Sequence, residues 1–351
     1  MSRDSSSRTR SSSRPGKPAS AGSHAPGGKR QGVRYVTIDP DDQGQRLDNF
    51  LMAQLRDVPK SIVYRVIRKG EVRINKGRVK PDTRIRAGDV VRIPPVTRKE
   101  KPPQVKPGER VQQVIEQAIV FENDQLLVVN KPSGIAVHGG SGVDFGLIEV
   151  LRAARPDARF LELVHRLDRD TSGLVMVARK RSALRFLQDQ LRQKRIRKRY
   201  HALVCGRWPD SVKRVDQPLL RYEMTNGERR VKVDAAGKES LTTFKTLEVF
   251  QGYSLVEASP VTGRTHQIRV HAAWVGHPIA GDDKYMDDAS QKAFRAIGGN
   301  RLMLHARALT LTLPGEEQQV LELEAPYDRV IHDVLRCLRE RSGKQAAGRE
   351  Q

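Results

Sequence analysis

The sequence predicts an α+β protein in which a large domain, built on a largely antiparallel mixed sheet, follows a small domain of helices and β-hairpins. Three observations support this fold class. From residue 116 onward, many short strand-like runs alternate with only a few helical ones. Residues 33–95 hold two helical patterns and two short alternating pieces. Proline, glycine and charge are concentrated between these regions, so we expect domains at 33–95 and 116–340 and a linker at 96–115.

Each predicted element rests on the spacing of its apolar residues. In the small domain two helices are indicated, by Leu47, Phe50, Leu51 and Leu55 and by Ile62, Val63, Val66 and Ile67, with short strands at 71–75 and 89–94. Gly70 is expected to end the second helix in a left-handed turn. The large domain should contain an amphipathic helix at 182–193 and strands at 126–130, 174–178, 202–204, 244–249 and 253–258. A tail rich in Ser, Gly and Arg at 1–32 should be disordered, and the end at 341–351 should be frayed.

The charge of the chain indicates a polyanionic partner. Its 351 residues include 64 Lys and Arg against 41 Asp and Glu, a formal net charge of +23. Neutralising phosphates releases condensed counterions, which favours nucleic acid, with an anionic membrane as the alternative. The chain has no apolar run of membrane-spanning length and no secretory signal, and its two cysteines indicate neither a disulfide framework nor a zinc site. We expect a monomeric cytoplasmic protein that has no membrane or metal partner.

Two basic clusters are candidates for binding the phosphates of a nucleic acid. In the small domain, acidic residues are scarce among the basic positions, which include Lys60, Arg65, Arg68, Lys69, Arg73 and Lys76. An ordinary solvated face is the alternative interpretation. A second run, at 194–199, contains Arg197 and Lys198 and leads into Tyr200 at the start of a strand. This run would either end a helix in solvent or follow a phosphate backbone.

Two segments have the composition of a catalytic site. Residues 165–173 (HRLDRDTSG) form a polar loop between apolar strands, which can hold Asp168 at a surface that a substrate reaches. A salt-bridged turn would have the same composition. Residues 262–271 read as a strand, one face of which carries Thr265, Gln267, Arg269 and His271. A buried Arg269 would need an anion such as an ionised aspartate, either for catalysis or in a purely structural ion pair.

Three other patterns are weak indications of chemistry. The glycine-rich loop at 139–142 is not followed by the Gly-Lys-Ser/Thr of a phosphate-binding loop. His266, His271 and His277 lack carboxylates or cysteines at metal-ligand spacing, so we expect packing or hydrogen-bonding histidines. Ser172 lacks the nucleophile-elbow motif of a serine hydrolase.

Taken together, five motifs in order resemble the RluA-type pseudouridine synthases. They are 130–134 (NKPSG) with Val137 and His138, 165–168 (HRLD) with 171–173 (TSG), Tyr200, 263–271 (GRTHQIRVH), and 276–279 with Gly281 and Asp282. The unit at 45–95 resembles a small RNA-binding domain named after a small-subunit ribosomal protein. The HGGSG and LELVHRLDRDTSG segments look like those of an enzyme of large-subunit ribosomal RNA. The resemblance covers roughly 33–338 and departs at Lys284-Tyr285-Met286, where the family often has a glycine after the tyrosine.

The resemblance implies that the chain isomerises uridine to pseudouridine in large-subunit (23S) ribosomal RNA without a cofactor. Asp168 would act on the ribose, as a nucleophile at C1′ or as a base on the C2′ proton. Arg269 would pair with Asp168, and Tyr200 would lie against the uracil ring. Residues in contact with the extruded nucleotide would be Arg166, Ile268, Lys131 and His165.

Two other classes of function are open on the sequence alone. A noncatalytic RNA-binding or ribosome-assembly protein would have the same charge, although Asp168, Tyr200 and Arg269 at the family positions argue against it. A base-excising glycosylase also flips nucleotides and uses an aspartate, but it would release free uracil.

Overall fold

The computed structural model describes residues 32–55, 58–96, 107–140, 143–315 and 319–347. The chain divides into two compact units, Met1–Pro102 and Pro103–Gln351. The disordered tail expected at 1–32 therefore lies outside the described residues, apart from Gly32.

The first unit is a four-stranded antiparallel sheet with two helices packed on it. Its strands are β1 (Arg34–Thr37), β2 (Arg73–Ile74), β3 (Gly77–Arg78) and β4 (Val90–Ile93), in the order β1-β4-β2-β3. A short 3-10 helix (Pro40–Asp42) precedes α1 (Leu47–Gln54) and α2 (Lys60–Arg68). The residues predicted at helical spacing, Phe50 and Val63 among them, meet in one core. Gly70 has φ +71 just after α2, as predicted.

The second unit is built on a ten-stranded mixed sheet. The strands of this unit, inside and outside the sheet, are β5 (Ile119–Glu122), β6 (Leu126–Lys131), β7 (Glu162–Leu163), β8 (Ser172–Ala178), β9 (Arg197–Cys205), β10 (Arg214–Asp216), β11 (Leu219–Glu223), β12 (Arg229–Val233), β13 (Leu241–Phe250), β14 (Tyr253–Pro260), β15 (Leu304–Thr312) and β16 (Val320–Glu324). The main order is β10-β13-β14-β9-β15-β8-β6-β5, with β16 beside β15 and β7 beside β8, while β11 and β12 form a separate hairpin. Within the described residues only the β15–β8 pair is parallel.

Helices cover both faces of this sheet. They are α3 (Glu109–Gln117), α4 (Leu147–Ala154), α5 (Arg181–Arg192), α6 (Gln267–Trp274), α7 (Asp288–Arg295) and α8 (Arg329–Ala347). Leu127 and Val129 of β6 pack in one cluster with residues of α4 and α8, whereas Leu126 and Val128 pack in another with residues of α5. Burial on both faces explains why β6 is apolar almost throughout. The α+β class and the largely antiparallel mixed sheet are thus confirmed.

The central position of β15 determines how the sheet is assembled. β15 pairs with β9 on one side and with β8 on the other. In the described part of the chain these are the pairings that join β10-β13-β14-β9 to β8-β6-β5. The strand that unites the sheet is therefore among its last in sequence.

The strand predicted at 262–271 is wrong, because the segment forms a turn followed by α6. The β-branched residues Thr265, Ile268 and Val270 suit a strand. However, Gln267, Ile268, Arg269, Val270, His271 and Ala272 are all buried in this short helix. Packing on nearly every side has therefore overridden local propensity.

The expected linker and the expected frayed end are each too long. α3 begins at Glu109, inside the linker predicted at 96–115, because Val111 and Ile115 are spaced by one helical turn and Ile115 is fully buried. At the other end, α8 continues through Gly343 to Ala347, since a glycine inside a helix costs only about 1 kcal/mol and no proline follows residue 340. Residues 97–106 and 348–351 lie outside the described part of the chain.

Candidate active site

The loop between β7 and β8 carries Asp168, and the buried side chain of Lys131 is hydrogen-bonded to this loop. Lys131 Nζ donates hydrogen bonds to the carbonyl oxygens of Pro132, Ile135 and Arg169 at 2.8, 2.8 and 2.9 Å. Burial lowers the pKa of Lys131 to about 7, whereas the three carbonyls favour the ammonium, whose three hydrogens they use. Because Lys131 is fully buried, its expected contact with substrate is corrected to the support of this loop.

Two further hydrogen bonds and one close approach complete the support. Ser133 Oγ and Gly134 N donate to loop carbonyls that follow Asp168, at 2.7 and 3.0 Å. Gly173, at the start of β8, has φ +108, and a Cβ atom there would lie 2.3 Å from the carbonyl oxygen of Ala306. A glycine is required because β8 and β15 approach closely at this pair. The backbone that follows Asp168 is thereby held in place.

Arg269 of α6 lies next to Asp168 but binds a different carboxylate more tightly. Its Nη1 is 3.8 Å from Asp168 Oδ2. Its Nε and Nη2 donate to Asp282 at 2.7 and 2.6 Å, and Nη2 is also 3.3 Å from Asp283 Oδ1. Burial opposes the charge of Arg269, yet Asp282 and then Asp168 hold its pKa above the ordinary value. The guanidinium is therefore clamped by Asp282 and presents one remaining nitrogen to Asp168.

Sequence reasoning missed the part played by Asp282. A buried Arg269 needs an anion, and the resemblance implies that this anion is Asp168. The signal available in the sequence is the Gly281-Asp282 pair among the motifs, and the structure shows it as a fully buried aspartate after a glycine with φ +75. Buried charges require partners, so a second carboxylate was needed to match the guanidinium fork.

Tyr200 stands on β9 between two small neighbours. Its cross-strand partners are Ala258 on β14 and Ala306 on β15, and these leave room for the ring. The side chain is buried, at 8% exposure. Burial, and then the charge of Asp168, raise the pKa of Tyr200 well above its usual range. Tyr200 therefore keeps its proton at neutral pH and lies within the electrostatic reach of Asp168.

Asp168 and Tyr200 open onto one cavity of about 1060 Å³. Leu167, Ile268 and Leu304 contribute apolar wall. Nine basic residues line it, against the acidic Asp168 and Glu322: Arg166, Arg192, Lys194, Arg197, Lys198, Arg199, Arg221, Arg264 and Arg269. An apolar floor surrounded by cations suits a base at the bottom and phosphates at the rim.

The remaining candidates of the second unit also line this cavity. His165 accepts a hydrogen bond from Met176 N through Nε2 at 3.2 Å, and burial lowers its pKa to about 3, so it stays neutral. Arg166 is exposed at the cavity, whereas Ile268 is buried. Lys198, two residues before Tyr200 on the same face of β9, is half-buried, and burial lowers its pKa.

In the first unit, all six candidate RNA-binding residues are exposed. Three of them lie on α2, one directly follows it, and two belong to the β2–β3 hairpin: Lys60, Arg65, Arg68, Lys69, Arg73 and Lys76. Arg78 Nη2 donates to the carbonyl of Arg68 at 3.0 Å, which places the hairpin against the end of α2. These basic side chains therefore belong to adjoining elements.

The weak patterns have structural explanations where the chain is described. His271 hydrogen-bonds to Thr242 and Gln217, and His277 to the carbonyl of Cys205. Gly139 N donates to Glu149 at 3.0 Å, while 141–142 of the glycine-rich loop lie outside the described residues. Over the described ranges no cluster of three metal-ligating side chains occurs. Each helix in those ranges is too short or too polar to span a bilayer.

Comparisons with known proteins agree with this geometry. Residues 125–274 match the family model described as RNA pseudouridylate synthase, and residues 45–91 match that of the S4 domain. The chain is 54% identical over 312 residues to ribosomal large subunit pseudouridine synthase C of Vibrio vulnificus, covering 88% of this chain and 98% of the relative. It is also 54% identical over 310 residues to the protein of that name from Escherichia coli, covering 88% and 97%.

A solved structure has the same fold over much of the chain. Human RNA pseudouridylate synthase domain containing 4 superposes with a TM-score of 0.55 at 28% identity, covering 66% of this chain and 96% of the human one.

Proposed function

The chain belongs to the RNA pseudouridylate synthase family, and from this premise we propose that it isomerises uridines in large-subunit ribosomal RNA, with Asp168 acting on the ribose. The bacterial relatives with more than half of their residues in common are named for that RNA. We place the activity in the cytoplasm, with a single copy of the chain as the working enzyme.

One observation carries the assignment of Asp168. Its carboxylate is 21% exposed, faces the cavity, and has a buried guanidinium 3.8 Å from Oδ2. Both the nucleophilic and the base route need a carboxylate at this position, and the guanidinium beside it supplies the complementary charge. Because Asp282 already binds Nε and Nη2 of Arg269, the guanidinium supports Asp168 without forming a tight bidentate pair with it.

The reaction needs a site that holds the uracil while its bonds change. The N1–C1′ bond breaks, the base turns, C5 bonds to C1′, the C5 hydrogen leaves as a proton, and N1 takes up a proton. Tyr200 and Ile268 provide apolar contact for the detached ring, which limits its escape and keeps water out. The Tyr200 hydroxyl, which keeps its proton at neutral pH, would relay the C5 proton.

The basic groups are proposed to bind the RNA that surrounds the target. An extruded uridine would enter the cavity, with Arg166 at the opening. Arg197 and Lys198 would then meet phosphates near the target. The exposed basic side chains of the first unit would bind phosphates elsewhere, so RNA shape and charge would supply most of the affinity.

The test uses large-subunit RNA fragments that carry tritium at uridine C5. The protein should release tritium while producing no free uracil, and Asp168→Asn should abolish release yet retain RNA affinity. Asp170→Asn, a half-exposed aspartate two residues away that pairs with Arg169, is the matched control and should remain active. Free uracil would indicate a glycosylase, and RNA binding without tritium release by the unmodified protein would indicate a noncatalytic RNA-binding protein.

A further inference from the structure

His266 lies beside Asp168, and the reaction proposed above does not use it. Its Nε2 is 3.9 Å from Asp168 Oδ2, and its Nδ1 is 2.8 Å from the hydroxyl of Tyr285. Its side chain is 13% exposed and lines the same cavity as Asp168. The imidazole therefore connects a catalytic carboxylate to a tyrosine.

The backbone of His266 is held in an uncommon conformation. With φ 53 and ψ 20, it is a left-handed residue at the N-cap of α6. A residue other than glycine is strained in this region relative to the right-handed one. The conformation starts α6 immediately after a turn and brings the imidazole to Asp168.

Tyr285 determines which nitrogen of His266 carries the hydrogen. Val231 N donates to the Tyr285 hydroxyl oxygen at 3.1 Å. Burial raises the pKa of Tyr285 to about 12, so the phenol keeps its hydrogen, and His266 Nδ1 lies 2.8 Å from its oxygen as a nitrogen able to accept it. A neutral imidazole has a single N–H. A phenol that donates to Nδ1 leaves this N–H on Nε2, the nitrogen nearer Asp168.

The charges around His266 are consistent with the neutral form. Burial lowers its pKa, and the opposing effect of Asp168 is the smaller one. The other charged groups that act on it are Arg269 on α6 and, from the following loop, Asp282 and Lys284. Two of these are cations, which also disfavour a charged imidazole.

Both donors that face Asp168 approach the same oxygen atom. Arg269 Nη1 is 3.8 Å and His266 Nε2 is 3.9 Å from Oδ2. We propose that His266, fixed as its Nε2–H tautomer by Tyr285, is a positioning residue that holds Oδ2 of Asp168 and leaves Oδ1 directed at the ribose. This inference rests on the proposed function, because it assigns the orientation of the carboxylate that performs the reaction.

The test combines histidine NMR with steady-state kinetics on the full-length protein. Nitrogen-15 spectra of the histidines should show His266 protonated at Nε2, with His271 as an internal reference whose Nε2 lies 3.1 Å from a carbonyl. Tyr285→Phe keeps the ring over which Arg269 stacks at 5.2 Å but removes the hydroxyl. It should move the hydrogen of His266 partly to Nδ1 and lower kcat by about tenfold with little change in KM. Tyr253→Phe, a half-buried tyrosine on β14, is the control and should change neither.

A second pair of variants separates positioning from packing. The amide nitrogen of glutamine reaches about as far as imidazole Nε2, so His266→Gln should retain more turnover than His266→Ala. Protonation of His266 at Nδ1 in the unmodified protein would overturn the proposal, as would equal turnover of these two variants or a kcat in Tyr285→Phe equal to that of the control. Failure of the proposed function is distinguishable, because the unmodified protein would then release no tritium whatever the tautomer.

Discussion

Replacing Asp282 with asparagine removes one charge from a pair that is almost wholly buried. The side chains of Arg269 and Asp282 are 3% and 0% exposed, and two hydrogen bonds of 2.7 and 2.6 Å join them. Leaving one partner of such a pair uncompensated costs about 3–5 kcal/mol. Asparagine keeps an oxygen for the backbone N–H groups of Lys284 and Tyr285, which bind Asp282 at 3.0 and 3.2 Å. We therefore expect the lower end of that range, about 3 kcal/mol.

The chain provides both a specific probe and a matched control for this measurement. Its two tryptophans, Trp208 and Trp274, both lie in the second unit, so tryptophan fluorescence during urea unfolding reports that unit alone. Asp283 also contacts Arg269, at 3.3 Å, but it is 65% exposed. Asp283→Asn should therefore cost less than about 1 kcal/mol.

Turnover should follow the same order as stability. In Asp282→Asn, the oxygen that accepts from the backbone can still accept from Arg269 Nη2, but the bond from Nε is lost. The guanidinium is then held less firmly against Asp168, and we expect kcat to fall by at least about tenfold, or about 1.4 kcal/mol of barrier. If Asp282→Asn were as stable and as active as Asp283→Asn, the contact between Asp282 and Arg269 would contribute neither to stability nor to turnover, contrary to this prediction.

Three further outcomes are expected. Tyr200→Phe should fold and bind RNA normally but release tritium more slowly, and an equal rate would exclude the hydroxyl from proton transfer. Burial lowers the pKa of His305 to about 4 from 6.5, so between these values the unfolded chain binds a proton that the folded chain does not. The free energy of unfolding should fall on acidification through this window, by about 1.4 kcal/mol per pH unit for this group. His305→Gln should flatten the plot of unfolding free energy against pH. The control His332→Gln, at a side chain that is 67% exposed, should leave that plot unaltered. Neutralising Arg65 and Arg68 to Gln should weaken RNA binding without lowering kcat at saturation, and should reduce the slope of log affinity against log salt by up to about 0.9 for each duplex phosphate that is no longer neutralised; an unchanged slope would mean that these side chains do not meet phosphates.

Much of the fold could be predicted because its strands have strong local signals. The strand β6 is apolar at nearly every position, and the helix α5 repeats its leucines at helical spacing. The segment containing Arg269 could not be predicted in the same way. Its side chains are buried on nearly all sides of a short helix, so neither alternation nor amphipathic spacing remained to distinguish a helix from a strand.

Only those residues of the site that stand in recognisable motifs could be predicted from the sequence. Asp168, Tyr200 and Arg269 stand in recognisable segments and line one cavity. Asp282 and His266 also belong to the family motifs, but their contacts depend on the angle at which α6 leaves its turn. Such geometry arises from tertiary packing, which residue spacing does not encode.

Because β15 is among the last strands to be synthesised, its position determines when the site can form. The loop of Asp168 belongs to the β8 side of the sheet and Tyr200 to the β9 side, and β15, at Leu304–Thr312, is the strand between them. A nascent chain that has emerged only as far as residue 300 contains Asp168 and Tyr200, the proposed catalytic groups, but lacks the strand that lies between them in the sheet. Contacts this distant in sequence form late and slowly. The basic first unit, whose strands all lie before residue 94, can be complete much earlier. During synthesis, each chain would therefore be able to bind RNA before it can modify it.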